Sequence, residues 1–120
     1  MDRAEIARRG EDAAASYLER CGMTVVERNW RAKNGEIDIV ALDGDTLVVV
    51  EVKTRRTQSR GTPEEAVTPT KQRRLVRLAE AYLAHTGLTE QALRFDVVAI
   101  RPVADDRALL RHHRSAFVSQ

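Results

Sequence analysis

The chain has one cysteine, Cys21, so no intramolecular disulfide can brace it. That residue falls on the apolar face of the first helical pattern, where a buried, inert thiol is expected. No stretch approaches the ~20 apolar residues of a bilayer span, which gives no reason to expect a membrane partner. Met1-Asp2-Arg3-Ala4-Glu5 lacks a signal peptide's apolar core, so a cytoplasmic location is the default expectation. Internal repeats, low-complexity tracts, a Gly-rich phosphate loop, zinc-ligand spacing and a serine nucleophile elbow are all missing, which removes several motif-borne chemistries. What is left, 120 residues with three prolines and 42% hydrophobic content, suits one domain, residues 1–120, burying roughly two-thirds of its unfolded surface.

From Ala4 to Cys21 the residues Ile6, Gly10, Ala13, Ala14, Tyr17, Leu18 and Cys21 recur at helical spacing, and Gly22 supplies a stop. Glu11 lies roughly 100° from the centre of that stripe, on a border that reaches both water and a sheet edge. Strands are expected at Thr24–Trp30, Glu36–Leu42 and Leu47–Lys53. The third is apolar on one face and on most of the other, as in a strand at mid-sheet. Thr54–Thr68, rich in Thr, Arg, Gln, Ser, Gly and Pro, reads as a mobile loop able to close over a substrate. A second helix starts at Pro69 with Thr68 as N-cap, buries Leu75, Leu78, Ala79, Tyr82 and Leu83, and ends at Gly87. Arg94–Ile100 returns as a strand beside the hairpin, and Leu109–Phe117 adds a terminal edge strand. The predicted fold is therefore an α/β sandwich with a mixed sheet, in the order αβββαβ(β). Trp30 is read as a packing aromatic. His112 and His113, adjacent in a strand, face opposite ways, cannot easily share one metal and are expected to be solvated.

Chemistry concentrates in Gly35-Glu36-Ile37-Asp38 and in Val50-Glu51-Val52-Lys53. Strand alternation puts Glu36, Asp38 and Val40 on one face, and Val49, Glu51 and Lys53 on one face of the next strand. A loop of Asp43 to Thr46 sets Leu42 opposite Leu47, Asp38 opposite Glu51 and Glu36 opposite Lys53. A two-residue turn at Asp43-Gly44 instead pairs Glu36 with Glu51, and a three-residue loop separates Asp38 from Glu51. Cross-strand neighbours lie about 4.5–5.5 Å apart at Cβ, so two carboxylates held there repel unless a cation joins them. Hard oxygen ligands on a rigid scaffold are what Mg²⁺ (or Mn²⁺) requires in phosphoryl chemistry, and Lys53 is placed to orient a water or offset phosphorane charge. Solvated charges at a strand end, or protection against edge pairing, are the competing account of these residues.

Charge divides along the chain. Residues 1–51 carry seven Lys/Arg and eleven Asp/Glu, net −4, and residues 52–120 carry thirteen and seven, net +6. Arg55, Arg56 and Arg60, then Lys71, Arg73, Arg74 and Arg77, offer sequence-independent contacts to phosphates, and Arg28 and Arg31 flank Trp30. A solvated helix face explains such a run equally well.

These residues resemble the PD-(D/E)xK nucleases, the restriction-endonuclease-like group, and within it the archaeal-type Holliday junction resolvases. They are also similar, over almost the whole chain, to small bacterial YraN-like proteins, a family generally regarded as uncharacterised. The match runs through Gly10-Glu11-Asp12-Ala13-Ala14, Arg28-Asn29-Trp30-Arg31, Gly35-Glu36-Ile37-Asp38, Val50-Glu51-Val52-Lys53-Thr54-Arg55, Ala66-Val67-Thr68-Pro69 with Lys71, Arg94–Ile100 and Ala116-Phe117. Ile37 stands where the motif's name places a proline. The resemblance implies a restriction-endonuclease-like three-layer sandwich. It also implies Asp38 and Glu51 as metal ligands, Lys53 as catalytic lysine and Glu11 as an additional helix-borne acid, with Glu36 in support. The expected activity is a metal-dependent cleavage of DNA or RNA, with branched DNA a natural substrate. Symmetric cutting of a four-way junction needs two active sites and hence a twofold homodimer. A nucleic-acid-binding module that keeps the scaffold without turnover is the alternative.

Overall fold

The computed structural model describes residues 2–55, 67–88, 91–104 and 106–117. Helix α1 (Arg3–Arg20) starts where the Asp2 carboxylate accepts the Glu5 amide at 2.8 Å and ends at Cys21, ahead of Gly22 with φ +94°. Strands β1 (Thr24–Ala32), β2 (Gly35–Asp43) and β3 (Thr46–Thr54) form an antiparallel meander. Helix α2 (Pro69–Thr86) has proline in its first turn, Thr68 as N-cap and left-handed Gly87 as C-cap, as the sequence predicts. It carries the chain over to β4 (Ala92–Ala104), parallel to β3, and β5 (Arg107–Phe117) closes the sheet antiparallel. The order is β1-β2-β3-β4-β5, so β3 is central. The strands run one or two residues beyond the expected bounds at most ends, and β4 runs past Ile100 to Ala104.

Strand β3 explains the layering. Leu47 and Val49 pack with Leu75, Leu78, Ala79 and Tyr82 of α2, whereas Val48 and Val50 pack with Ala14, Ala15 and Leu18 of α1. All four strand residues are at most 1% exposed, and each such burial contributes about 1.5–3 kcal/mol. Two helices thus cover opposite faces of one mixed sheet, the α/β three-layer sandwich expected above. Trp30 packs edge-on against Tyr82 with ring centres 5.2 Å apart. Cys21, by contrast, is exposed: it caps α1 where the chain turns away from the core, so helical periodicity no longer governs it.

A second departure lies at the far edge. Asp96, 1% exposed, occupies a register shift between β4 and β5. Its carboxylate accepts Arg94 Nε at 3.0 Å, Arg94 Nη2 at 3.1 Å, the Ser115 amide at 3.0 Å and His112 Nε2 at 2.7 Å. His112 Nδ1 meets the Tyr17 hydroxyl at 3.1 Å, and Arg94 Nη1 reaches Asp43 at 2.8 Å. His112 is therefore a buried structural group, its side chain 4% exposed, and not the solvated histidine expected. His112 pairs regularly with Val98, on the α1-side face it shares with Leu110, and what buries it is the packing of Tyr17 and Asp96 against that face, contacts with residues far away in the chain.

Candidate active site

The hairpin register places Leu42 opposite Leu47, as the first of the three loop alternatives would, but Asp43 still pairs with Thr46, so the turn is only Gly44-Asp45, with Gly44 at φ +61°. Pairing between β2 and β3 runs from there to Ile39–Val50. Beyond it, β2 continues with β1 as far as Gly35 while β3 continues with β4 as far as Thr54. The two strands part, and Asp38 sits in the opening. Its Oδ2 accepts the Val52 amide at 2.8 Å, a side chain taking the place of a ladder partner.

Alternation slips at this point. Ile37 joins the α2-side core and Ile39 the α1-side core, although two residues apart on an ideal strand would share a face. Val40 consequently lies on the α2 side, apart from Asp38, which corrects the expectation that Glu36, Asp38 and Val40 share a face. Asn29, between the β1 residues that pair with Ile39 and Ile37, has φ +54°, and the local twist belongs to this pair of positions.

Helix α1 brings the third acid. A Cβ at Gly10 would lie 2.0 Å from Thr54 Oγ1, so only glycine lets the helix come this close to the end of β3. The next residue, Glu11, then joins Glu36 and Asp38, with one carboxylate oxygen from each lying within 4.8 Å of the others. Asn29 Nδ2 donates to Glu11 Oε2 at 2.9 Å and to Glu36 Oε1 at 2.7 Å. Glu36 pairs with Arg31 at 3.3 Å and not with Lys53, because the strands have separated. Burial pushes Asp38 up to about 8, and a hydrogen bond and repulsion from Glu51 add to the rise; the Val52 amide offsets only part of it. An open depression of about 870 Å³ lies over the opening, lined by Ile6, Glu11, Asp38, Val52, Lys53 and Thr54 among others.

Glu51 and Lys53 alternate with the α2-side residues Leu47 and Val49. Lys71, in the first turn of α2, lies against them: the Lys53 charge holds it below its ordinary value, with Glu51 acting oppositely and Arg74 adding to the lowering. Arg74 also passes over Gly35, its Cδ 3.5 Å from the Cβ position there. Lys53, Lys71 and Arg74 thus gather at the α2 side of the opening. Arg28 does not join them; it bridges Glu11 at 3.2 Å and Asp12 at 2.6 Å. Arg31 is tied to Glu36, Arg55 is exposed just past β3, and Arg56 lies outside the described residues, as does most of the Thr54–Thr68 loop. Asn29 and the Val52 amide were not singled out from the sequence. An asparagine inside a strand pattern, a residue type that tolerates positive φ, was the available signal.

The site chemistry fits a divalent cation: carboxylate oxygens of Glu11, Glu36 and Asp38 converge, and burial together with the neighbouring Glu51 raises Asp38.

Comparison with known proteins gives a consistent family. The profile of the family described as "Uncharacterised protein family UPF0102" matches residues 10–100. A UPF0102 protein of Geobacter sulfurreducens is 50% identical over 109 residues, covering 91% of this chain and 85% of its own. One from Symbiobacterium thermophilum is 52% identical over 90% of this chain and 92% of its own length, and one from Arthrobacter sp. is 55% identical over 79% and 80%.

Proposed function

The chain belongs to the UPF0102 family, and from its site we propose a metal-dependent phosphodiesterase acting on DNA or RNA. The observation that carries this reading is Asp38. It is a half-buried carboxyl, set where two strands part, beside Glu11, Glu36 and Glu51 and raised to about 8. A buried structural carboxyl is ordinarily matched by a cation or by several hydrogen-bond donors, whereas among the described residues the donor to Asp38 is one backbone amide, that of Val52.

Asp38, Glu11 and Glu36, whose oxygens converge, with Glu51 against Asp38, are the residues that would hold Mg²⁺ or Mn²⁺. When bound, such an ion supplies positive charge for the phosphoryl oxygens and acidifies water. Lys53 lines the same depression as Asp38, and its role there would be to orient a water nucleophile or offset charge gathering on phosphorus. Lys71 and Arg74 beside it extend the positive charge toward flanking phosphates, a contact that reads backbone and not base sequence. Arg55, just beyond the strand, continues that track. No helix of the described residues is long and apolar enough to cross a membrane, and a nucleic-acid substrate accords with a cytoplasmic setting.

The test is a cleavage screen over duplex, single-stranded, flapped and four-way-junction DNA and structured RNA, with Mg²⁺ or Mn²⁺, using Lys53→Ala as control. Metal-dependent cutting that disappears in the variant supports the reading. Cutting that survives Lys53→Ala assigns the chemistry elsewhere. Sedimentation of the protein with and without the junction decides whether a twofold dimer forms.

A further inference from the structure

We propose that Asn29 is a positioning residue of this centre, whose side-chain amide holds the Glu11 and Glu36 carboxylates in place so that, with Asp38, they are set for a divalent cation. The inference rests on the metal-dependent reading above and adds the neutral group that organises the acids.

An Asn amide has two N–H donors, and here Nδ2 serves two different carboxylates. Glu11 lies 18 residues before it on α1, and Glu36 lies seven after it on β2. Each acid's second oxygen is held from the other side, Glu11 Oε1 by Arg28 at 3.2 Å and Glu36 Oε2 by Arg31 at 3.3 Å. A third arginine in place of Asn29 would neutralise the charge that attracts a cation. An amide joins two anions without cancelling either, and each oxygen keeps a lone pair for a metal. The backbone contributes as well. At φ +54°, a conformation most L-residues resist and asparagine tolerates, the side chain leaves the direction that regular strand alternation would give it. The residue therefore sits opposite Asp38 in a conformation that costs stability, which fits a role in presentation.

Two substitutions separate backbone from amide. Asn29→Gly accepts the positive φ and removes the donors; Asn29→Ala removes the donors and resists the φ. We measure Mn²⁺ affinity by calorimetry and melting temperature without metal, on wild type and both variants. The glycine variant should melt at or above wild type and the alanine variant below it, while both lose Mn²⁺ affinity by about tenfold or more, as partners behind metal ligands do. A glycine variant that binds Mn²⁺ within about twofold of wild type, the lower end of context effects well below that range, makes Asn29 a backbone device and overturns the inference. So does a glycine variant that no longer folds, since the amide would then support the fold. Wild type that binds no Mn²⁺ refutes the metal reading itself, and the inference with it.

Discussion

Asp38 and Asp96 are aspartates of the same sheet, two strands apart, and their surroundings drive them in opposite directions. Asp96 is the more deeply buried, 1% exposed. Burial alone would raise it, but hydrogen bonds from His112, Arg94 and the Ser115 amide outweigh that and hold it below the ordinary carboxylate range. Asp38 receives one amide hydrogen bond and faces other acids, so burial and Glu51 push it up to about 8. Depth of burial therefore does not by itself set the direction in which a carboxyl shifts. Charge balance does. The sheet completes its own ion network at the β4–β5 bulge and leaves one incomplete where β2 and β3 part.

The largest effect that tests this contrast is at Asp96. Asp96→Ala strands the Arg94 guanidinium and His112 in a buried setting, and unfolding by urea should show a loss of about 3–5 kcal/mol. Asp38→Asn, nearly isosteric and still able to accept the Val52 amide, should lose none of that. A similar loss from both would mean that Asp38 is structural too.

Next in size is the response to metal. Mn²⁺ at about a hundredfold over its dissociation constant should stabilise wild type by about 2.7 kcal/mol near pH 8, with proton release because Asp38 must ionise to bind. Calorimetry in two buffers of different ionisation enthalpy reads that proton. Asp38→Asn should abolish both signals; a bound ion without proton release would move it away from Asp38.

Without metal, the two carboxyls predict pH dependence of opposite sign. Asp38 folded keeps a proton that the unfolded chain gives up near pH 3.8, so its contribution to stability declines as pH rises from there to about 8. The slope is at most about 1.4 kcal/mol per pH unit, and Asp38→Asn should remove it. Asp96, depressed in the folded state, contributes stability above pH 3.8 that is lost on further acidification. Melting curves from about pH 2 to about pH 9 give both slopes. Equal profiles for wild type and Asp38→Asn above pH 6 would refute the raised Asp38.

The smallest expected effect lies outside both networks. Arg55 is exposed, and Arg55→Ala should leave stability and metal affinity unchanged while flattening the log–log salt slope of DNA binding by about one unit. An unchanged slope would put the nucleic-acid surface on another face.

Local chemistry made much of this protein legible in its sequence. Thr68-Pro69 and Gly87 bound α2, the Leu47–Val50 run announces a central strand, and Asp43-Gly44-Asp45-Thr46 marks the hairpin, although its register, Leu42 opposite Leu47, was one of several that the sequence left open. Asp38, Glu51 and Lys53 stand out because charged residues at the ends of apolar strands need a reason. Each inference depends on residues a few positions apart, where helical and strand periods hold. Tertiary structure alone decided the rest. It slipped the alternation between Asp38 and Ile39, turned Asn29 toward two acids, exposed Cys21 and drew His112 inward to Asp96. It also chose which arginines are spent on acids, Arg28 and Arg31, and which basic residues remain beside Lys53. The physical reason is common to all of them: a bulge, a parting of strands, the packing of another element or a close helix approach at Gly10 redirects or covers side chains by contacts with residues distant in the chain, and periodicity carries no record of such contacts.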